Sequence, residues 1–199
     1  MSRRWLGATV GMVLGVGLTA CASTKVTTTW VAPGARDEAL GKIMAIAVMP
    51  DSQTRYIVED ELHRQVTRVE VLESYSFIED DQLRDMGWVK DAIKRSGVDG
   101  VIVVRFVATE QETTYRSATP GPSYGFNDYY NWAWSTLPSY GWADTDTKVS
   151  LEFQIFAVEG ERRLWSGRSQ STNPASIRSL IIETIAAVRD ELRRVDLVD

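Results

Sequence analysis

The chain has 199 residues, with 22 basic and 27 acidic side chains, one histidine, one cysteine and a formal net charge of −5. That acidic balance, without a basic cluster along the sequence, argues against nucleic acid and against an anionic membrane surface as the main partner. One cysteine rules out an internal disulfide, and the length predicts a single domain that buries about 70% of its unfolded surface.

The first element in chain order is a secretory signal: Arg3 and Arg4 lead a run from Trp5 to Ala20 that is apolar or small throughout. Its 16 residues fall short of the roughly 20 that cross a bilayer as a helix. The run ends in Leu18-Thr19-Ala20-Cys21, which looks like the bacterial lipobox. That resemblance implies cleavage before Cys21 and attachment of diacylglycerol to its sulfur, with palmitate among the added chains; two or more chains anchor a protein stably. Ala22 stands where an aspartate retains enterobacterial-type lipoproteins at the inner membrane, so the pattern implies the outer membrane, with the domain facing the periplasm. Without Arg3 and Arg4 the mature chain keeps 20 basic and 27 acidic residues, a net charge near −7.

Residues 22 to 41 alternate Val26, Thr28 and Trp30 against Thr27 and Thr29, a pattern read as a membrane tether ending in a short edge strand. "KIMAIAVMP" (42 to 50) is a strand buried on both faces. A helix follows with Val58, Leu62 and Val66 inward, an Asp60 to Arg64 ion pair outward, and Glu59-Asp60-Glu61 on its polar face. "VEVLESY" (69 to 75) is a second strand. Asp80 or Asp81 caps a second helix lined by Leu83, Met86, Val89 and Ile93, which Gly97 ends. "DGVIVVRFVAT" (99 to 109) is the third buried strand, so right-handed crossovers and a parallel core are expected. "KVSLEFQIFAV" (148 to 158), a turn at Gly160 and "RRLWSGRSQST" form an antiparallel hairpin. Asn173-Pro174 starts a long helix whose stripe is Ile177, Ile181, Ile185, Val188, Leu192 and Val195. The fold class is therefore α/β, a mixed sheet with a three-stranded parallel core and crossover helices, an added hairpin and a long C-terminal helix. The domain layout is signal peptide 1–20, lipidated segment and tether 21–41, and one α/β domain 42–199.

Between the third strand and the hairpin lies an insertion, 115–145, of different character. Nine of the 19 aromatics fall between Tyr115 and Trp142, with Arg116 and Asp128 as the charged residues there. Pro120, Pro122, Pro138 and three glycines predict irregular structure. Tyr124, Phe126, Tyr129, Tyr130, Trp132, Trp134, Tyr140 and Trp142 are the candidate binding residues. Three readings stay open: extra core folded over the sheet, an interface for a protein partner or self-association, and a surface for peptidoglycan, another glycan or lipid headgroups.

The stretches "KIMAIAVMPDSQTRYIVEDEL", "GVDGVIVVRF" and "VSLEFQIFAVEGERRLWSG" resemble a set of small bacterial envelope lipoproteins. More distantly they are similar to the domain shared by the curli secretion lipoprotein, the TolB amino-terminal domain and the outer-membrane activators of peptidoglycan synthases. The resemblance spans most of 42–197 and implies fold and compartment. The long lipid-facing strands of the curli pore have no counterpart here, nor does the aromatic insertion in the synthase activators.

Catalytic signals are weak. The single histidine, His63, lies in "EDELHRQ" and reads as a solvated helix residue; no His, Cys and carboxylate group has metal-ligand spacing, and no cofactor is expected. Glu59-Asp60-Glu61 and Glu79-Asp80-Asp81 leave a glycan-directed hydrolase as the alternative from another class. The expected role is non-catalytic: binding or scaffolding in the envelope through the aromatic loop, with no nucleic acid partner.

Overall fold

In the computed structural model, which describes residues 23–38, 40–111, 125–135 and 147–197, strands and helices follow one another in three groups. The first is β1 (Ser23–Val31), β2 (Lys42–Val48), α1 (Ser52–Gln65), β3 (Glu70–Glu73), α2 (Met86–Ser96) and β4 (Gly100–Gln111). Next comes α3 (Phe126–Ser135), and then the hairpin β5 (Thr147–Ala157) and β6 (Arg163–Thr172) with α4 (Ile177–Arg194). The strands make one mixed sheet in the order β1-β6-β5-β4-β2-β3. β3, β2 and β4 run parallel, while β4, β5, β6 and β1 pair antiparallel, which is the mixed sheet with parallel core that the sequence predicts.

β2 is apolar on both faces because both are covered. Ile43, Ala45 and Ala47 face a layer that holds Val58 and Leu62 of α1 and Ile181, Ile185, Val188 and Leu192 of α4. Met44, Ile46 and Val48 face Val89, Ala92 and Ile93 of α2 and Phe126, Tyr129, Tyr130 and Ala133 of α3. Each fully buried branched side chain contributes about 1.5–3 kcal/mol, so the central strand anchors two cores at once. Gly97 ends α2 in the left-handed conformation (φ 63°), and Gly160 turns the hairpin at φ 72°, as expected from their positions. β2 stops opposite Arg105, whereas β4 continues to Gln111. Six further residues at about 3.3 Å each leave a step of roughly 20 Å at the sheet end.

Several expectations need correction. The edge strand expected at the end of the tether is present but begins already at Ser23, paired along its length with β6 and bulged between Val26 and Thr28. Asp80 and Asp81 do not cap α2: Asp85 does, accepting from the Gly87 N–H at 2.8 Å, because Asp80 is engaged by Arg55. Asn173 does not cap α4 either. Its backbone N–H and side-chain oxygen close on Thr147, and the cap passes to Ser176, which exchanges hydrogen bonds with Ser179 in a capping box. Ile177, placed in the apolar stripe, is exposed at the first turn. On α1, Arg64 pairs with Glu61 and not Asp60, whose carboxylate takes the Tyr75 hydroxyl at 2.5 Å. Glu59 and Glu61 are buried, not a wet face. The insertion is not irregular throughout: α3 occupies its middle, from Phe126 to Ser135, a stretch without proline or glycine.

Candidate functional site

Where β2 ends, Met49-Pro50 carries the chain outward and Asp51 caps α1, accepting from the Thr54 N–H at 2.8 Å. The first turn of α1 sends Arg55 inward, where it is buried. Its Nε donates to Glu59 Oε1 (3.1 Å), and Nη2 donates to Ser74 Oγ (2.9 Å) and the Ile78 carbonyl (3.1 Å). Nη1 meets the Asp80 carboxylate. Glu59 in turn accepts from Ala47 N–H at 3.0 Å, from the Ser74 hydroxyl at 2.8 Å and from Tyr75 N–H at 3.0 Å. The β2-β3 ladder ends at Ala45 opposite Glu73, so the Glu59 carboxylate replaces the missing strand for Ala47. Burial pushes the Glu59 carboxyl up, against the pull of Arg55 and the N–H donors. The Ser52 hydroxyl, and then Arg55, hold the Asp80 carboxyl below the usual range.

This network forms one wall of a cleft of about 410 Å³ at the carboxyl end of β2, a position where open α/β sheets commonly bind ligands. Its floor is Ala47, Met49, Pro50 and Leu83; Asp51, Ser52, Arg55, Asp80, Asp81 and Arg84 supply polar groups, and Trp134 closes one side. The Arg84 guanidinium sits 5.0 Å from the Trp134 ring centre. The Tyr130 hydroxyl donates to the Leu83 carbonyl at 2.5 Å, which pins the middle of α3 to the 80–84 segment. Tyr56, Phe77 and Trp88 are exposed on the neighbouring segments, with the Tyr56 hydroxyl donating to Asp80 at 3.2 Å.

The sequence-predicted aromatic residues divide. Phe126, Tyr129 and Tyr130 are buried against Phe156 and the sheet, so they belong to the core and offer no contact surface. Burial, and then the Glu152 charge, push the Tyr129 phenol well above its ordinary value. Trp132 and Trp134 are half-buried. Trp132 lies under the Arg105 guanidinium, 3.7 Å from its ring centre, and Arg105 pairs with Glu152 at 2.7 Å in a buried polar layer beneath α3. Trp134 alone of the eight reaches the cleft among the described residues. Cys21, Tyr124, Tyr140 and Trp142 lie outside the described residues. His63 is exposed, with Nδ1 2.9 Å from Glu73 and 2.7 Å from the Val71 carbonyl, as a surface helix residue. Among the described residues no group of three or more His, Cys, Asp or Glu is placed to hold a metal ion.

Sequence reasoning missed Arg55, Arg84, Tyr56, Phe77 and Trp88. The exposed aromatics had a signal, since Trp88 and Phe77 fall off the apolar stripes. Arg55 had none, because three of its four partners are 19 to 25 residues away.

No family model and no curated protein matches the chain. Among solved structures it is similar to the PelC dodecamer from Paraburkholderia phytofirmans, at 14% identity over 86% of this chain and 97% of that one, with a TM-score of 0.47. It is also similar to the lipoprotein GNA1162 from Neisseria meningitidis, at 15% identity over 77% of this chain and 99% of that one, TM-score 0.39. A PDZ domain protein from Parabacteroides distasonis aligns at 10% identity over 86% of this chain and 37% of that one, TM-score 0.37.

Proposed function

We propose that the chain is a non-catalytic envelope lipoprotein, held in the outer membrane by lipid on Cys21 and facing the periplasm, that binds a protein partner through the cleft between α1, residues 80–84 and the Trp134 end of α3. The observation that carries this reading is a groove that presents Arg84, Asp80, Asp81 and Trp134 together, with the exposed Tyr56 joined to it through its hydrogen bond to Asp80. Aromatic and arginine side chains dominate binding hot spots, and charges of both signs suit a polypeptide segment. The anchor is supported by the Leu18-Thr19-Ala20-Cys21 box behind an apolar run too short to span a bilayer. Among the described residues no helix is long and apolar enough to cross a membrane. The non-catalytic role is supported by Glu59: four donors occupy its oxygens, which makes this buried carboxylate a structural group.

In-cell photo-crosslinking from positions 84 and 134, with buried position 130 as control, tests the reading. A discrete protein adduct from 84 and 134 but not 130 is expected. Absence of adducts at both cleft positions, with the protein at normal abundance, overturns the cleft as an interface. Cys21→Ala is expected to abolish palmitate labelling and membrane association.

A further inference from the structure

β1 begins at Ser23, two residues after Cys21. Two residues span at most about 7 Å, so a lipid on Cys21 holds the sheet end that carries Ser23 close to the headgroups. The register identifies that end: Ser23 lies opposite Thr172, and Thr172 lies opposite Lys148. Lys25, opposite Gln170, and Lys148 point to the sheet face that α3 shares, by the alternation of strand side chains. On the other face α4 begins beside the same end, with Ile177 and Arg178 exposed in its first turn. Glu183, nearly two turns further along α4, accepts from the Thr24 hydroxyl at 3.2 Å. The fold thus brings three basic residues, Lys25, Lys148 and Arg178, and an exposed isoleucine to one tip of the sheet from three segments that are far apart in an acidic chain, with the acidic Glu110 opposite Lys148 in the register. No run in the sequence announces it.

Resting on the lipid-anchor reading above, we propose that this tip, with Lys25, Lys148, Ile177 and Arg178, seats directly on an anionic phospholipid surface and fixes the orientation of the domain on the membrane. The partner is identified by charge and by reach. A basic side chain near an anionic leaflet strengthens attachment by about five-fold, and the apolar Ile177 enters the headgroup region beside the acyl chains. The lipid supplies the anchoring, and the tip supplies the direction.

The test uses the acylated full chain in phosphatidylglycerol and phosphatidylethanolamine vesicles that carry a headgroup-nitroxide lipid. Acylation consumes the single native cysteine, so Ile177→Cys and, at the far end of the hairpin, Glu159→Cys each take one environment-sensitive dye. Strong nitroxide quenching at 177 and little at 159 is expected. The triple change Lys25→Glu, Lys148→Glu, Arg178→Glu should abolish the quenching at 177 while the protein still floats with the vesicles, and Arg162→Glu at the far end should not. Floating protein with equal or no quenching at the two sites overturns the seating alone, as does a dye at 177 shielded from water yet unquenched. Protein that fails to float overturns the anchor reading as well.

Discussion

Trp165 and Gly167 stand on the same face of β6, and the indole of Trp165 is fully buried across the glycine. A Cβ at 167 would lie 2.2 Å from Cη2 and 2.6 Å from Cζ2 of that ring. Carbon atoms rest about 3.5–4.0 Å apart, so Gly167→Ala requires the ring to move by more than an ångström in a filled core. Overpacking of that kind costs about 1–3 kcal/mol, offset by about 0.5–1 kcal/mol from replacing a strand glycine. A net loss of about 1–2 kcal/mol follows, or about 2–8 °C in Tm for a chain of this size. Urea and thermal unfolding read by far-UV circular dichroism measure it. Trp165→Ala removes the obstacle at its own cost of about 3–5 kcal/mol, and in that background Gly167→Ala should be neutral or stabilising. The two changes should therefore couple by about 2 kcal/mol. Gly167→Ala within about 0.5 kcal/mol of the parent, or an equal penalty in both backgrounds, would refute the packing argument.

Glu59→Gln leaves Arg55 buried beside an amide that cannot accept from all four donors, and should lower stability by about 3 kcal/mol in urea titrations; a loss below about 1 kcal/mol would contradict the structural role given to this carboxylate. Asp80 gives a pH signature. Its folded-state carboxyl is held down by Ser52 and Arg55, so its stabilisation is complete above the unfolded value near 3.9 and is lost as pH falls through the lower folded value. Asp80→Asn should flatten the fall in stability on acidification below about pH 4; an unchanged slope would assign that fall to other groups. Glu59 cannot supply it, because burial shifts its carboxyl the other way.

The sheet was legible because its physics is local. β2, β4 and β5 declare themselves by continuous or alternating apolar runs, and Gly97 and Gly160 by the left-handed backbone they supply. The α3 helix, where irregular structure was expected, does carry a helical pattern in Phe126, Tyr129, Tyr130 and Ala133 at i, i+3, i+4 and i+7. Prolines and glycines on either side of it hid the pattern. The cleft was not legible, since burial of a charged residue is decided by partners elsewhere in the chain. Arg55 and Glu59 look like a wet i, i+4 pair until Ser74, Ile78 and Asp80 close around them. The same contact explains the misplaced start of α2: with Asp80 taken by Arg55, Asp85 became the available cap.

The edge strand has a consequence for the order in which the molecule is completed. β1 is made first but pairs only with β6, from Ser23 opposite Thr172 to Val31 opposite Trp165. Until β6 is available β1 is an unpaired strand, the kind of segment that aggregates when it is apolar. Its sequence, STKVTTTWV, meets the hazard with four threonines and a lysine in place of leucine and isoleucine. The polarity of β1 is thus suited to waiting as much as to its place at the sheet edge, and the first strand synthesised is paired with the sixth.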